Sequence, residues 1–529
     1  MGADGLNATA ERRADVLVAG GGVGGVAAAL ALADSGLDVV LAEPTAWIGG
    51  QLTSQGVPPD EHPWIERLGC TASYRRLRDG IRAHYRSLFP LTLDARMASA
   101  LNPGACFVSR LGHEPPVAVA VLASMLAPAL AAGRLKLLLR HEPVAAVVDR
   151  DRVAAVELRD RTSGDVVTVA ADWVVEATET GSLLALARVE HVTGSESRKS
   201  TGEPHAPERA QPGNLQPVSV CFALEHLDGE DHTIDRPDGY ERFAPRFSWT
   251  APDPRTNRPV ERRLEPNPDD DPLRTGPDFD DPSLDRDLWR FRRIAARRLF
   301  APGAYPSDIT TVNWPQIDFA DAVVLDGGGP AAADARQLSL SFLHWMQTEA
   351  GWPGLRLRGD VMGGAPDGLA LHPYIRESRR LRALRTVREQ DVALAVRGDH
   401  GAVEYPDSVG IGAYRIDLHP STGGDGYLDV ACCPFQIPLG ALVPERVENL
   451  VAAGKAIGTT HITNGAYRVH PVEWNAGEAA GHLVALCASR STTPHAVTAS
   501  AELTAELQAR LVAAGVELRW REEIRAPAR

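Results

Sequence analysis

Three glycines near the amino terminus have a spacing that suits the binding of a dinucleotide. Gly20, Gly22 and Gly25 form the pattern GxGxxG, and Glu43 follows 18 residues after the last of them. The first glycine permits a tight turn, the second lets backbone approach a pyrophosphate, and the third lets a helix pack on a strand. A carboxylate at the position of Glu43 can accept hydrogen bonds from ribose hydroxyls. The pattern predicts a dinucleotide-binding site, to which Gly24 of the same run also belongs.

The residues around these glycines have the patterns of the elements that must hold them. Residues 16–19 are a short apolar run typical of a strand, and residues 26–33 are rich in alanine, which favours a helix. Gly36 is a helix stop, and residues 37–42 predict a second strand that ends at Glu43. Strand, glycine turn, helix, strand and acid thus follow one another in the order of a βαβ unit.

Later segments of the chain predict that the dinucleotide is FAD. Residues 47–56 form a glycine-rich loop that can run beneath a flavin bound across the strand ends. Residues 449–458 predict a strand that ends in a turn, and residues 472–487 predict a helix that contains Gly-Glu-Ala-Ala-Gly.

Taken in order, these segments and several shorter strings resemble the family of FAD-dependent oxidoreductases, which is distantly related to the fumarate reductase flavoproteins. The resemblance covers nearly the whole chain, and the order of the matching segments is its specific part. Beyond the glycine turn and Glu43, the matching strings begin at Gly49, Asn102, Val174, Asn313, Tyr374, Tyr414 and Gly454.

The resemblance implies an FAD cofactor, bound by a domain that is assembled from both ends of the chain. It implies that Glu43 holds the adenosine ribose and that Lys455 lies near the pyrophosphate or the ribityl chain. It also implies that the helix after Pro471 points its amino terminus at the flavin pyrimidine. Together with the loop glycines, the remaining residues assigned to the cofactor site are Gly49, Gly50, Gln51, Ala177, Thr178, Gly454, Lys455, Pro471 and Asn475.

Five further side chains are candidates for chemistry on the substrate side of the flavin. His461 and Arg468 lie in the segment that leads into the carboxyl-terminal flavin helix, so we expect both near the isoalloxazine. Arg376 offers a guanidinium group suited to a carboxylate. Asp417 and His419, two residues apart on a predicted strand, would lie on one strand face. The alternatives are ordinary structural roles: an ion-paired helix face for Arg376, and hydrogen-bonded structural histidines at positions 419 and 461.

We expect an α/β protein in which a Rossmann-like FAD-binding domain carries an inserted α+β substrate or cap domain. The FAD-binding domain should comprise residues 14–190 and 411–490, the cap residues 191–410, and a helical tail residues 491–529. Residues 201–287 are crowded with proline and charged residues, which predicts a long surface excursion or lid. Further helices are predicted at residues 74–88, 117–132, 288–299, 332–349, 376–387 and 500–513.

The composition is that of a globular protein with an excess of acid. Among 529 residues, 44% are hydrophobic and 23% are charged, and the formal net charge is −14. This charge argues against nucleic acid or an anionic membrane as the main partner. Six cysteines without CxxC or zinc spacing predict neither a disulfide scaffold nor a metal site. The sequence has no secretory signal pattern and no run of about 20 apolar residues, so we expect a cytoplasmic protein.

Motifs that the sequence lacks narrow the expected reaction. A second GxGxxG and a CxxxxC redox pair are both missing. We expect a dehydrogenase, desaturase or oxidase that transfers a hydride between flavin N5 and a small anionic or polar metabolite. Oxygen or another acceptor would take the electrons, and a homo-oligomer is one option for the assembly. A flavin monooxygenase is the alternative among enzymes, and a non-catalytic flavin-binding sensor or interaction protein is the alternative of another class.

Overall fold

The computed structural model describes residues 10–268, 286–325 and 328–524. Its strands are β1 (Ala10–Ala19), β2 (Val39–Glu43), β3 (Leu135–Leu139), β4 (His141–Asp149), β5 (Arg152–Asp160), β6 (Val166–Glu176), β7 (His191–Val192), β8 (Val218–Ser219), β9 (Phe222–His226), β10 (Thr250–Pro252), β11 (Pro259–Glu261), β12 (Arg293–Ala295), β13 (Ile309–Val312), β14 (Asp318–Phe319), β15 (Leu355–Leu357), β16 (Tyr374–Ile375), β17 (Arg380–Leu381), β18 (Ser408–Gly412), β19 (Ile416–Leu418), β20 (Leu428–Val430), β21 (Phe435–Pro438) and β22 (Leu450–Ala452). Its α-helices are α1 (Val23–Asp34), α2 (Ala72–Leu88), α3 (Leu93–Met97), α4 (Pro115–Ala131), α5 (Ser182–Leu186), α6 (Arg198–Thr201), α7 (Tyr240–Phe243), α8 (Leu288–Phe291), α9 (Gly329–Thr348), α10 (Glu389–Val392), α11 (Leu394–Arg397), α12 (His461–Tyr467), α13 (His470–Arg490), α14 (Pro494–Ala499) and α15 (Ala501–Ala513).

The largest sheet has the strand arrangement of a dinucleotide-binding domain. Its order is β3-β2-β1-β6-β5-β4, and β22 pairs with the carboxyl-terminal part of β6. β1, β2, β3, β6 and β22 run parallel, whereas β4 and β5 form an antiparallel flank. The five residues of β2 are all buried, as expected of a strand whose two faces are covered. The predicted α/β class with a Rossmann-like domain is confirmed.

Two helices from opposite ends of the chain are in close contact beside this sheet. A Cβ atom at Gly477 of α13 would lie 2.0 Å from the carbonyl oxygen of Gly24 in α1. A Cβ atom at Gly481 would lie 2.8 Å from the carbonyl oxygen of Ala28. The approach of the two backbones therefore requires glycine at these positions. Together with β22, α13 packs the carboxyl-terminal part of the chain against its amino-terminal βαβ unit.

A second hydrophobic core lies in the middle of the chain. It includes strands β8, β9 and β13 and the 20-residue helix α9, and its large buried side chains include Phe222, Trp289, Trp314 and Phe342. Residues 201–287 are therefore not only a surface excursion, because β8 and four of the five residues of β9 are buried. Of that segment, residues 269–285 lie outside the described residues. The domain boundaries near residues 190, 410 and 490 stay predictions.

Two helices predicted in the middle of the chain are wrong. Residues 376–387 contain only the two-residue strand β17. Residues 288–299 divide into the short helix α8, the strand β12 and a 3-10 turn. In both segments buried arginines bind groups on other elements: Arg293 pairs with Asp308 at 2.7 Å, and Arg380 pairs with Glu196 at 2.8 Å. These tertiary contacts outweigh the weak preference of the local sequence for a helix.

Three features of the described residues concern cysteine pairing, metal binding and membrane spanning. All six cysteines are unpaired and buried. Within the described ranges, no group of three or more potential metal ligands is found. No helix in those same ranges is both long and apolar enough to cross a membrane.

Candidate functional site

The glycine turn between β1 and α1 leaves no room for side chains. Gly20 has a φ of +104°, and a Cβ atom there would lie 2.2 Å from the carbonyl oxygen of Ala177. A Cβ atom at Gly25 would lie 1.8 Å from the carbonyl oxygen of Gly20. Gly22 caps the amino terminus of α1 without a side-chain acceptor, so the first N–H groups of the helix stay available to an anion. The backbone of the turn therefore suits the pyrophosphate of FAD, and the carboxylate of Glu179 lies against it, with Oε1 2.5 Å from the position of a Cβ atom at Gly22.

Glu43 ends β2 beside this turn, where a ribose-binding acid is expected. Its carboxylate accepts hydrogen bonds from the backbone N–H of Gly21 at 3.0 Å and from that of Thr45 at 2.9 Å. Burial raises the pKa of Glu43 to about 7, although these hydrogen bonds oppose the shift. The carboxylate is thus fixed in orientation at the edge of the sheet. Its contact with the adenosine ribose stays a prediction.

The loop after Glu43 connects the glycine turn to the carboxyl-terminal helix. The N–H of Gly49, which has a φ of +105°, donates to the carbonyl oxygen of Gly21 at 2.7 Å. A 3-10 turn follows at Gly50–Leu52. Within it, the side-chain amide of Gln51 donates to Glu473 Oε1 at 2.7 Å and to the carbonyl oxygen of Arg468 at 3.1 Å. The loop therefore holds the start of α13 against the dinucleotide turn.

Three buried ionisable groups meet at this junction. Lys455 Nζ forms an ion pair with Glu179, lies 3.7 Å from Glu473 Oε1 and donates to the carbonyl oxygen of Ile375 at 2.8 Å. Burial opposes the charged form of Lys455, but the two carboxylates outweigh it and keep the lysine pKa above its usual value. Burial raises the pKa of Glu473, although Lys455 opposes this shift. Lys455 therefore places a positive charge beside the first turn of α13.

The remaining predicted cofactor residues surround the same turn. Gly454 lies against α1, because a Cβ atom at Gly24 would lie 2.8 Å from the Gly454 nitrogen. Thr178 follows the carboxyl end of β6, and Pro471 and Asn475 occupy the first two turns of α13. The buried side-chain oxygen of Asn475 has no hydrogen-bond partner within the described part of the chain. That these residues together hold one FAD stays a prediction.

A cavity of about 290 Å³ adjoins the amino terminus of α13. Arg468 and Val469, the two residues before that helix, form part of its wall. Asp417 and His419, which flank the end of β19, also line it, as expected for residues two apart on one strand face. The position of this cavity makes it the candidate substrate site.

Arg468 is held rigidly at the cavity wall. Its guanidinium group donates to Tyr374 Oη at 2.9 Å and to the carbonyl oxygen of Asp417 at 2.8 Å, and it lies 3.4 Å from Asp417 Oδ2. Burial raises the pKa of Asp417, but His419 and Arg468 together hold it well below its usual range. That Arg468 lies on the substrate side of the flavin stays a prediction.

Arg376 lines the cavity but is committed to an ion pair. Its guanidinium group donates to Asp318 Oδ1 at 2.9 Å and to Ser219 Oγ at 2.9 Å, and only 2% of the residue is exposed. The other carboxylate oxygen of Asp318 lies 2.6 Å from His419 Nδ1. Burial would raise the pKa of Asp318, yet Arg376 and His419 lower it to about 2. The structure thus favours the structural alternative for Arg376, and it gives His419 a fixed orientation.

His461 lies outside the lining of the cavity. Its Nδ1 atom is 2.8 Å from Glu377 Oε2, and its backbone N–H donates to Glu196 Oε2 at 2.9 Å. Glu377 also forms an ion pair with Arg380. His461 therefore belongs to a buried polar cluster at the start of α12. The prediction that it lies near the isoalloxazine stays a prediction.

Sequence reasoning did not single out Asp318, Arg292 or Asp60 in the cavity region. Asp318 binds Arg376 and His419, as described above. Arg292 pairs with Asp60 at 3.0 Å. Arg292 and Asp60 are 232 positions apart in sequence, so no local sequence pattern predicts their contact. Tyr374 had a signal, because it begins one of the strings that carry the family resemblance. Its ring lies under the Arg376 guanidinium at 4.9 Å.

The carboxyl-terminal segment supports one wall of the cavity. Trp520 packs edge-on against His62, with ring centres 5.3 Å apart, and its indole N–H donates to the carbonyl oxygen of Phe435 at 3.0 Å. Glu517 Oε1 accepts a hydrogen bond from the Gly69 nitrogen at 2.7 Å. The loop between Asp60 and Gly69, which begins at the cavity, is therefore fixed by residues close to the end of the chain.

A family model described as FAD dependent oxidoreductase matches residues 15–511. No curated protein matches the chain. A glycerol-3-phosphate dehydrogenase from Bacillus halodurans, solved with FAD, is 15% identical over 41% of this chain and 40% of its own, with a TM-score of 0.25. An anhydrotetracycline hydroxylase from Streptomyces rimosus is 13% identical over 94% and 66%, with a TM-score of 0.34. A flavin-dependent monooxygenase solved with FAD and substrate is 13% identical over 97% and 67%, with a TM-score of 0.35. These similarities are too weak to indicate a substrate or a reaction.

Proposed function

The chain belongs to the FAD-dependent oxidoreductase family and uses FAD, and we propose that it transfers a hydride between FAD and a small anionic or polar metabolite. The observation that supports this proposal is the position of the cavity. It is bounded by Arg468 and Val469, which lead directly into α13, and α13 packs on the glycine turn through Gly24 and Gly477. A substrate in the cavity would lie next to the segment that carries the flavin end of the cofactor site.

FAD supplies the redox chemistry when bound, since it can accept or donate a hydride at N5. The protein must hold the substrate and manage the proton that accompanies the hydride. Arg468 would bind an anionic group of the substrate, because its guanidinium group is fixed by Tyr374 and Asp417. Such charge-assisted hydrogen bonds to a planar guanidinium group also fix the orientation of a carboxylate.

His419 would accept the proton of the substrate during oxidation, or return it during reduction. Asp318 holds His419 Nδ1 at 2.6 Å, which leaves His419 Nε2, 3.6 Å from Asp417 Oδ2, as the nitrogen for proton exchange. A histidine oriented by a carboxylate in this way is a common arrangement for general acid–base catalysis. Arg376 is a positioning residue in this scheme, because it acts through Asp318.

Anaerobic reduction of the purified holoenzyme by a panel of metabolites tests the proposal. We expect at least one anionic metabolite to bleach the visible flavin absorption. His419→Gln should slow that bleaching about 100-fold, the usual contribution of a general base, without loss of FAD. His400→Gln, on an exposed 3-10 turn, is the matched control and should leave the rate unchanged. Oxygenation that depends on NAD(P)H, without reduction of the flavin by substrate, would instead indicate a monooxygenase.

A further inference from the structure

The residues around the cavity carry an excess of positive charge, whereas the whole chain carries an excess of negative charge. Acidic residues outnumber lysine and arginine by 69 to 55 in the whole sequence. Around the cavity the order is opposite: six arginines line it (Arg255, Arg262, Arg292, Arg376, Arg415 and Arg468), against four lining carboxylates (Asp60, Glu61, Asp417 and Asp429) and Asp318, the ion-pair partner of Arg376. A cavity with an excess of positive charge within an acidic protein attracts anions. Because the six arginines exceed these five carboxylates by one, a single negative charge suits the cavity better than a dianion.

Aromatic rings and prolines form much of the remaining wall. The rings are those of Phe107, Phe291, Tyr374, Tyr414 and Tyr427. Only 8% of the surface of Phe107 is exposed. Four prolines also line the cavity, at positions 63, 254, 315 and 434. Flat, rigid side chains of this kind pack well against a ring in a ligand and lose little conformational entropy when they do so. The walls therefore suit a cyclic apolar group better than a flexible polar chain.

The volume of the cavity indicates how much of a ligand it can hold. A dry protein cavity of about 150 Å³ accommodates one benzene molecule, which has six non-hydrogen atoms. The cavity here measures about 290 Å³, about twice that volume. It therefore holds on the order of a dozen non-hydrogen atoms, by the same ratio. A ring with a short carboxylate-bearing side chain has this size.

We propose that the substrate is a monocarboxylate that carries an aromatic or other apolar ring and has about a dozen non-hydrogen atoms. This inference rests on the proposed function and makes it more specific. The ring lies among the Phe and Tyr side chains, and the carboxylate meets the arginines. Arg468 is the arginine whose hydrogen bonds to Tyr374 and Asp417 fix it at the wall that leads into α13.

Calorimetric titration of the holoenzyme with three probes tests the inference without turnover. Hydrocinnamate has both the ring and the carboxylate, hydrocinnamyl alcohol lacks the charge, and butyrate lacks the ring. We expect hydrocinnamate to bind with a Kd below about 1 mM and at least about tenfold more tightly than either of the others. Equal binding of the alcohol would refute the charge argument, and equal binding of butyrate would refute the ring argument. No binding of hydrocinnamate would overturn the inference as a whole.

A variant locates the binding in this cavity. Phe291→Ala removes part of the ring wall and should weaken hydrocinnamate binding about tenfold while butyrate is unaffected. Leu88→Ala, at an exposed position on α2, is the control and should change neither value. Unchanged hydrocinnamate binding by Phe291→Ala would place the ligand elsewhere. Reduction of the flavin by a cationic or ring-free metabolite would overturn this inference while the oxidoreductase function stands.

Discussion

Replacement of Asp318 by asparagine tests whether Arg376 stabilises the fold through its ion pair with Asp318. Asp318 accepts hydrogen bonds from Arg376 at 2.9 Å, from Ser219 Oγ at 2.6 Å and from His419 at 2.6 Å. Asparagine keeps the shape of the side chain but removes its charge. The guanidinium group of Arg376 would then be buried without a counter-charge, which is strongly destabilising.

Two independent estimates of the lost free energy of unfolding give similar values. The pKa of Asp318 falls from 3.8 to about 2 in the folded protein. At 1.36 kcal/mol for each pKa unit, that change corresponds to roughly 2.5 kcal/mol. Removal of one partner from a buried ion pair typically costs about 3–5 kcal/mol, and the conserved shape of asparagine favours the lower end of this range. We therefore expect Asp318→Asn to lower the free energy of unfolding by about 3 kcal/mol at neutral pH.

The pH dependence follows from the direction of the shift. Because the folded pKa of Asp318 is depressed, its stabilising contribution is present above about pH 4 and is lost as the pH falls towards 2. The difference in stability between the parent protein and Asp318→Asn should therefore shrink on acidification through this range. Urea unfolding monitored by tryptophan fluorescence is a suitable assay, because Trp289 and Trp314 are buried in the second core, to which neighbouring Phe319 also belongs.

A double-mutant cycle isolates the pair. Arg376→Met combined with Asp318→Asn should cost about 2 kcal/mol less than the sum of the two single changes. Asp321→Asn is the matched control, since Asp321 pairs at 2.7 Å with the half-exposed Arg246 and should contribute less than about 1 kcal/mol. If Asp318→Asn cost no more than Asp321→Asn, or if the single changes were additive, Arg376 would be free to bind substrate and our assignment would be wrong.

Two further predictions concern the cofactor domain. Gly477→Ala would place a methyl group 2.0 Å from the Gly24 carbonyl oxygen. It should therefore lower the urea midpoint by the equivalent of about 2 kcal/mol or more. Gly213→Ala is the control and should have little effect, because the space around Gly213 is open. Burial raises the pKa of Glu176 to about 7, so the folded state holds a proton that the unfolded state releases, and the stability of the parent should decline between about pH 4.5 and 7. Glu176→Gln should flatten that decline in thermal melts across this range, and an unchanged slope would contradict the assignment.

The cofactor half of the fold was the part that sequence could predict. The spacing of Gly20, Gly22 and Gly25 reports a backbone requirement that the structure shows directly, since a Cβ atom at Gly20 or Gly25 would overlap backbone atoms. The helices α2, α4 and α13 also agree with the predicted ones to within a few residues, as do α9 in the second core and α15 after α13. In these segments, the local pattern and the tertiary contacts favour the same structure.

The part of the chain around the candidate cavity was less predictable because its structure depends on charges that are far apart in sequence. The Arg-Glu-Ser-Arg-Arg segment has helical propensity, but burial of Arg376, Glu377 and Arg380 among distant partners keeps it irregular. The pairs that shape the cavity span long separations, such as 101 positions between Asp318 and His419. Only the pair of Asp417 and His419 could be anticipated, because a strand places alternate residues on one face.

The contact between Trp520 and His62 has a consequence for how members of this family can diverge. The match to the family ends at residue 511, whereas Glu517 and Trp520 lie beyond it and support the loop that borders the candidate cavity. Changes in this tail can reshape the cavity without altering any residue within the matched range of residues 15–511. Two relatives with the same glycine turn and the same α13 could thus differ in substrate through their last dozen residues. Comparison restricted to the common region would not detect that difference.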